Sequence, residues 1–228
     1  MVDVALFELE GVLFDTAELR RAGLRDSLAA HGIVLVLDHE VIDGLPPRAA
    51  AVAALNHAHI ERDAVTIDLI ALRAERAFSE RLAAGGVTLR AGALSFLEDA
   101  ASQARLAIVT RGFRSDAQAM LRLAELESVA TIMVCSDDVL DAKPASEGYL
   151  QALERLGRQR EVNPAAVLAL EDGIFGVRAA RGAGIRCVAV GPLAPHVAME
   201  ANAYVTTLEG QTLKLLDELS APGREQVQ

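Results

Sequence analysis

The sequence predicts an α/β protein: a Rossmann-like parallel sheet core with helices on both faces, plus an inserted all-helical domain. Three observations carry that expectation. Short runs rich in Val, Ile and Leu alternate with longer stretches of helical periodicity, as expected of strands buried on both faces and joined by helical crossovers. Residues 16–87 break the alternation and contain no convincing strand. Hydrophobic residues make up 52% of the 228-residue chain, which is ample apolar material for a packed core.

The strands are expected at Val4–Leu9, Leu106–Thr110, Thr131–Cys135, Val167–Leu170 and Arg186–Val190, with a weaker sixth at Ala203–Thr206. Helices fall between them. Ser115 with Gln118 makes a capping-box start for Asp116–Leu126. Ser146 is placed to cap a helix in which Leu150, Leu153 and Leu156 recur at helical spacing, ending at Gly157. Ile174, Val177 and Ala180 mark another apolar stripe, closed by Gly184. The insert reads as helices over Ala17–Ala30, Arg48–His57 and Ala64–Ala84, with a short turn near His39–Ile42. Gly44-Leu45-Pro46-Pro47 supplies a rigid break. The expected organisation is therefore a core of residues 1–15 and 88–219 and a helical cap of residues 16–87. Gly85-Gly86 forms a plausible hinge pair, and residues 220–228 form a polar, flexible tail.

Charge narrows the function classes. Thirty-two acidic residues against 22 basic ones leave a formal net charge of −10, which duplex nucleic acid would repel in the absence of a dense basic run. No apolar stretch approaches the ~20 residues needed to cross a bilayer, and no basic segment precedes the first apolar run as in a signal peptide. The expectation is a cytoplasmic protein that handles a small molecule, with no nucleic-acid or membrane partner. No feature speaks to oligomeric state. Cys135 and Cys187 each sit inside a short apolar, β-branched run, which favours buried free thiols over a disulfide.

The chemistry lies where the strands end, since ligands of open parallel sheets bind at the carboxyl edge near the topological switch point. The first strand runs into Glu8-Leu9-Glu10-Gly11, the second ends at Thr110-Arg111-Gly112, Lys143-Pro144 follows the third, and the fourth ends in Glu171-Asp172-Gly173. Carboxylates so gathered suit Mg²⁺, a hard cation that takes oxygen ligands. A hydroxyl and a lysine beside them suit phosphate oxygens. Lys143 is one of only two lysines in a chain that otherwise uses arginine, and a compact point charge matters there.

The stretch from Phe7 to Thr16, FELEGVLFDT, resembles the first motif of the haloacid dehalogenase superfamily. Ala107–Thr110 resembles its second motif, Ala142–Glu147 its third and Leu170–Gly176 its fourth. With the helical insert, the likeness spans nearly the whole chain and is closest to the β-phosphoglucomutase-like branch. It implies a Mg²⁺-dependent phosphatase acting on a small phosphorylated metabolite. Glu8 would stand at the nucleophile and Glu10 at the general acid/base. Thr110 and Lys143 would hold the phosphate. Glu8, Glu10 (through its carbonyl), Glu171 and Asp172 would hold the metal. Arg48 matches a substrate-contacting arginine of the cap, and Arg111 lies where it would contact the substrate. Asp15, with Glu18 at the third helical position, would cap the first helix of the insert. His57 and His59 diverge on a helix and read as surface residues.

One departure bears on activity. Both acidic positions of the first motif, aspartates in the family, are glutamates here. An added methylene moves the attacking oxygen by up to ~1.5 Å, and a ~1 Å misplacement can cost ~10²-fold in rate. Metal and phosphate sites should therefore survive while turnover is weak or absent. The alternative to a phosphatase is a silent homologue that binds a phosphorylated ligand or partner. A sugar phosphomutase is less favoured, because Arg20 stands where mutases of this branch place a histidine.

Overall fold

The computed structural model describes residues 1–221, and residues 222–228, most of the expected tail, lie outside that range. Ser220, assigned to the tail on sequence, is buried. Its hydroxyl donates to the Leu216 carbonyl at 2.7 Å. The chain divides into two compact units, one of Met1–Asp15 with the chain from Thr88 onward, the other of Thr16–Val87.

In the first unit six strands form one parallel sheet. In chain order they are β1 (Val4–Phe7), β4 (Arg105–Val109), β5 (Ile132–Val134), β6 (Val167–Glu171), β7 (Arg186–Val190) and β8 (Ala203–Val205). They lie side by side as β5-β4-β1-β6-β7-β8, each neighbouring pair parallel. This is the doubly wound Rossmann order, and its switch point falls between β1 and β6. Helices α5 (Ala93–Gln103), α6 (Arg114–Leu123), α7 (Glu147–Gly157), α8 (Ile174–Gly182), α9 (Pro195–Glu200) and α10 (Leu213–Leu219) connect or flank the strands.

Strand periodicity explains why both faces are covered. Val4, Leu6, Ala107, Val109, Val167 and Ala169 pack with Tyr149, Ala152 and Leu156 of α7 and Val177 and Ala180 of α8. The alternate residues Ala5, Phe7, Leu106, Ile108, Leu168 and Leu170 are equally buried. Among them Phe7 meets Phe96 of α5 edge-on, ring centroids 6.2 Å apart. Both cysteines are buried free thiols.

Several local expectations are corrected. Helix α6 starts at Arg114 with Phe113 at its N-cap and no side-chain cap bond, so the Ser115–Gln118 box does not form. Ser146 stands at the N-cap of α7 without donating or accepting a capping bond. That helix turns Tyr149, Ala152 and Leu156 inward and leaves Leu150 exposed, because the aromatic ring contributes more buried area than the leucine it displaces. A short antiparallel ribbon of β2 (Phe14–Asp15) and β3 (Thr88–Leu89) was not foreseen, since two-residue strands leave no periodicity. It takes Asp15 out of the expected capping role, and the N-cap of the first helix falls on Thr16.

The second unit holds α1 (Ala17–Ala30), α2 (His39–Ile42), α3 (Pro47–His57) and α4 (Ala64–Ala83). Leu24, Leu28, Ala51, Leu55 and Ile70 form its core. Gly23 is required there, because a Cβ would come within 2.7 Å of the Ala74 carbonyl. Ser27 of α1 donates to the Ile70 carbonyl of α4 at 2.7 Å. Asp63 caps α4 by accepting from the Thr66 N–H at 2.9 Å. Arg20 pairs with Glu75 at 2.7 Å and stacks over Phe78, 3.5 Å from its ring centroid.

Candidate active site

Because β1, β4 and β6 are adjacent and parallel, the segments that follow them are delivered to one edge of the sheet. Glu8 is buried there, and four donors converge on its carboxylate. Oε1 accepts from the Leu9 N–H at 2.8 Å and from the Thr110 hydroxyl. Oε2 accepts from the Lys143 ammonium at 2.9 Å and from the Arg111 N–H at 3.3 Å. A carboxylate offers about four acceptor sites, so the protein's own donors engage the whole of Glu8. The donors come from β1's end, β4's end and the loop after β5. They form an anion cradle of the kind preorganised N–H groups and a lysine provide.

Lys143, followed by a cis peptide bond to Pro144, is the hub. Its ammonium also donates to Glu171 Oε1 at 2.5 Å and to the Val109 carbonyl at 2.8 Å. All three hydrogens are thus used. Burial would lower its pKa, but the charges of Glu171 and Glu8 outweigh that and hold it well above the ordinary lysine range.

Glu171, at the end of β6, is pushed up by burial, with Lys143 opposing the shift most strongly. Its Oε1 also accepts from the Tyr149 hydroxyl. Asp172 is pushed up to about 7, first by burial and then by the repulsion of Glu8, Glu171 and Glu10, against the attraction of Arg111. Two glycines make room for these carboxylates. A Cβ on Gly11, whose φ is +74°, would come within 1.9 Å of Asp172 Oδ2, and one on Gly176 within 1.9 Å of Glu171 Oε2. Glu10 is buried, and its Oε1 lies 3.3 Å from where a Cβ on Gly112 would stand.

Glu8, Glu10, Thr110, Arg111, Lys143, Glu171 and Asp172 therefore share one sheet edge. Arg48 belongs to the second unit, at the start of α3, where it pairs with Asp68 at 2.7 Å with both side chains exposed. Among the described residues, the set whose ligand atoms all lie within 4.8 Å of one another is Cys135, Asp137 and Asp138. That cluster already has cationic partners, since Arg114 pairs with Asp138 and Arg155 lies 3.8 Å from it. At the sheet edge, Lys143 stands between Glu8 and Glu171 and does electrostatically what a cation would.

Sequence reasoning missed Tyr149, which carries no motif signal and reads as an ordinary core aromatic of α7. It also gave Gly11 and Gly176 no role, although both stand inside motifs. Their need is steric and emerges only when loops meet.

A doubly wound sheet with an anion cradle and clustered carboxylates at its switch point defines a protein built to handle an oxyanion ester. Residues 5–190 match the family of haloacid dehalogenase-like hydrolases, and the chain belongs to that family. It is 32% identical to the phosphorylated carbohydrates phosphatase of Thermotoga maritima over 187 residues, 81% of this chain and 82% of that one. It is 28% identical to protein CbbY of Cereibacter sphaeroides over 197 residues, 82% of this chain and 84% of that one. The crystal structure of CbbY from Rhodobacter sphaeroides in complex with phosphate is 27% identical and covers 95% of this chain and 100% of its own, with a TM-score of 0.75. No helix among the described residues is long and apolar enough to cross a membrane.

Proposed function

We propose that the protein is a Mg²⁺-dependent phosphatase acting on a small phosphorylated sugar. The convergence of the Leu9, Thr110, Arg111 and Lys143 donors beside Glu10, Glu171 and Asp172 carries this reading. The family supports it, as do relatives named for phosphorylated carbohydrates. The Thr16–Val87 unit is the cap, and Arg48 can exchange its exposed partner Asp68 for a substrate group at little cost, since such pairs contribute ~0–1 kcal/mol.

In this mechanism Glu8 attacks phosphorus, the bond to the ester oxygen breaks, and Glu10 protonates the departing alkoxide. Water then attacks the phosphorus of the resulting acyl phosphate while Glu10 takes its proton, which releases phosphate and restores the Glu8 carboxylate and the protonated Glu10. The cradle donors hold the phosphoryl oxygens, so Glu8 must first leave them. The donor chemistry fits Mg²⁺: Glu8, Glu171 and Asp172 offer hard carboxylate oxygens at one sheet edge. Glu8, Asp172, the Glu10 carbonyl and Glu171 would hold the ion. Its contribution would be to neutralise charge on the transferring group.

Mg²⁺ is expected to raise the thermal midpoint with the logarithm of its concentration, by the equivalent of about 2.7 kcal/mol at a hundredfold excess over Kd. Asp172→Ala should lose that response, and Glu98→Ala, an exposed acid on α5, should keep it. Equal responses from the two variants would place the metal elsewhere. The complete engagement of Glu8 favours one second reading, a homologue that binds phosphate esters without turnover. Release of inorganic phosphate from sugar phosphates separates the two.

A further inference from the structure

The Tyr149 ring is completely buried against the sheet, and its hydroxyl is directed at Glu171 Oε1. The same oxygen takes the Lys143 ammonium, which lies 5.4 Å from the centroid of the Tyr149 ring. Gly176 closes the other side of that carboxylate, so closely that a Cβ would overlap it. Glu171 is therefore held by two donors on one oxygen, with the backbone of Gly176 close behind it.

Resting on the phosphatase reading above, we propose that Tyr149 is a positioning residue for the reaction. It fixes Glu171, and through Glu171 it holds the Lys143 ammonium at the cradle the phosphoryl oxygens would enter and sets the carboxylate that would hold the metal. Partners of this kind, one bond removed from the reacting groups, typically carry ~10–100-fold in metal affinity or activity. A phenol serving only the core would contribute through its ring and a satisfied hydrogen bond, and neither reaches the chemistry.

Tyr149→Phe keeps the ring and removes only the donor. The midpoint of a Mg²⁺ equilibrium-binding titration is expected to rise ~10-fold or more. In phosphate-release assays kcat should fall by a similar factor while KM holds. In a double-mutant cycle, Tyr149→Phe should add nothing once Glu171→Gln is present, because the hydroxyl acts through that carboxylate. A lower thermal midpoint with an unchanged Mg²⁺ midpoint and unchanged kcat would overturn the inference and leave the phosphatase reading standing. A wild-type protein with neither Mg²⁺ response nor phosphate release would overturn both.

Discussion

Replacing both glutamates of the first motif, Glu8→Asp/Glu10→Asp, is expected to raise phosphatase turnover at least ~10-fold, recovering part of a ~10²-fold misalignment loss. The added methylene lets the Glu8 carboxylate fold back onto its own neighbour, the Leu9 N–H at 2.8 Å, while reaching Thr110, Arg111 and Lys143. A phosphoryl group needs those same donors. Glu8 therefore competes with the substrate it is meant to attack, and a shorter aspartate should reach fewer of them at once. The measurement is steady-state hydrolysis of an aryl phosphate with saturating Mg²⁺. Inorganic phosphate should also bind Glu8→Ala more tightly than wild type in calorimetry, because the competing anion is gone. Robust wild-type turnover that collapses in the double aspartate variant would show that the site is built around glutamate. Loss of Glu8 without any gain in phosphate affinity would contradict the competition.

Lys143→Met is expected to destabilise the folded protein by about 3–5 kcal/mol at neutral pH, the usual cost of removing one partner from a buried charge cluster. The variant strands Glu8 and Glu171, whose side chains are almost wholly inaccessible beside the lysine. The pH dependence has a definite sign. Glu171 is already raised by burial, and Lys143 is its strongest opposing influence, so the variant raises it further. A carboxyl whose folded-state pKa exceeds its unfolded value contributes stability at low pH and loses it as pH rises. The deficit relative to wild type should thus be largest at alkaline pH and shrink as pH falls, as the stranded carboxyl takes up a proton. Urea midpoints as a function of pH measure it. A deficit constant with pH would assign the loss to packing of the lysine stem.

The places of the main-sheet strands and their two-faced burial follow from residue type alone. Runs such as Val167–Leu170 have no polar side to offer water, and a parallel sheet with crossovers is the arrangement that hides both sides. Reading which polar residues end β1, β4 and β6 needs no more than those boundaries. Free, buried Cys135 and Cys187 were legible for the same reason. Helix starts were less so. Ser115 and Asp15 have the right chemistry for caps, yet α6 begins two residues earlier than expected, and the ribbon of β2 and β3 claims Asp15. Such contests between local hydrogen bonds are settled by how distant segments pack.

The sequence by itself determined the layers, the order of elements and the set of groups brought to the carboxyl edge of the sheet, since these depend on periodicity and on what terminates each strand. Only the tertiary structure decided which partners those groups hold. That the Glu8 carboxylate lies inside the anion cradle, that Lys143 spans Glu8 and Glu171, that Tyr149 locks Glu171, and that Gly11 must lack a Cβ are facts of approach between segments far apart in the chain. Distances of a few ångströms between such segments come from how the core packs, and no local pattern of residues encodes them.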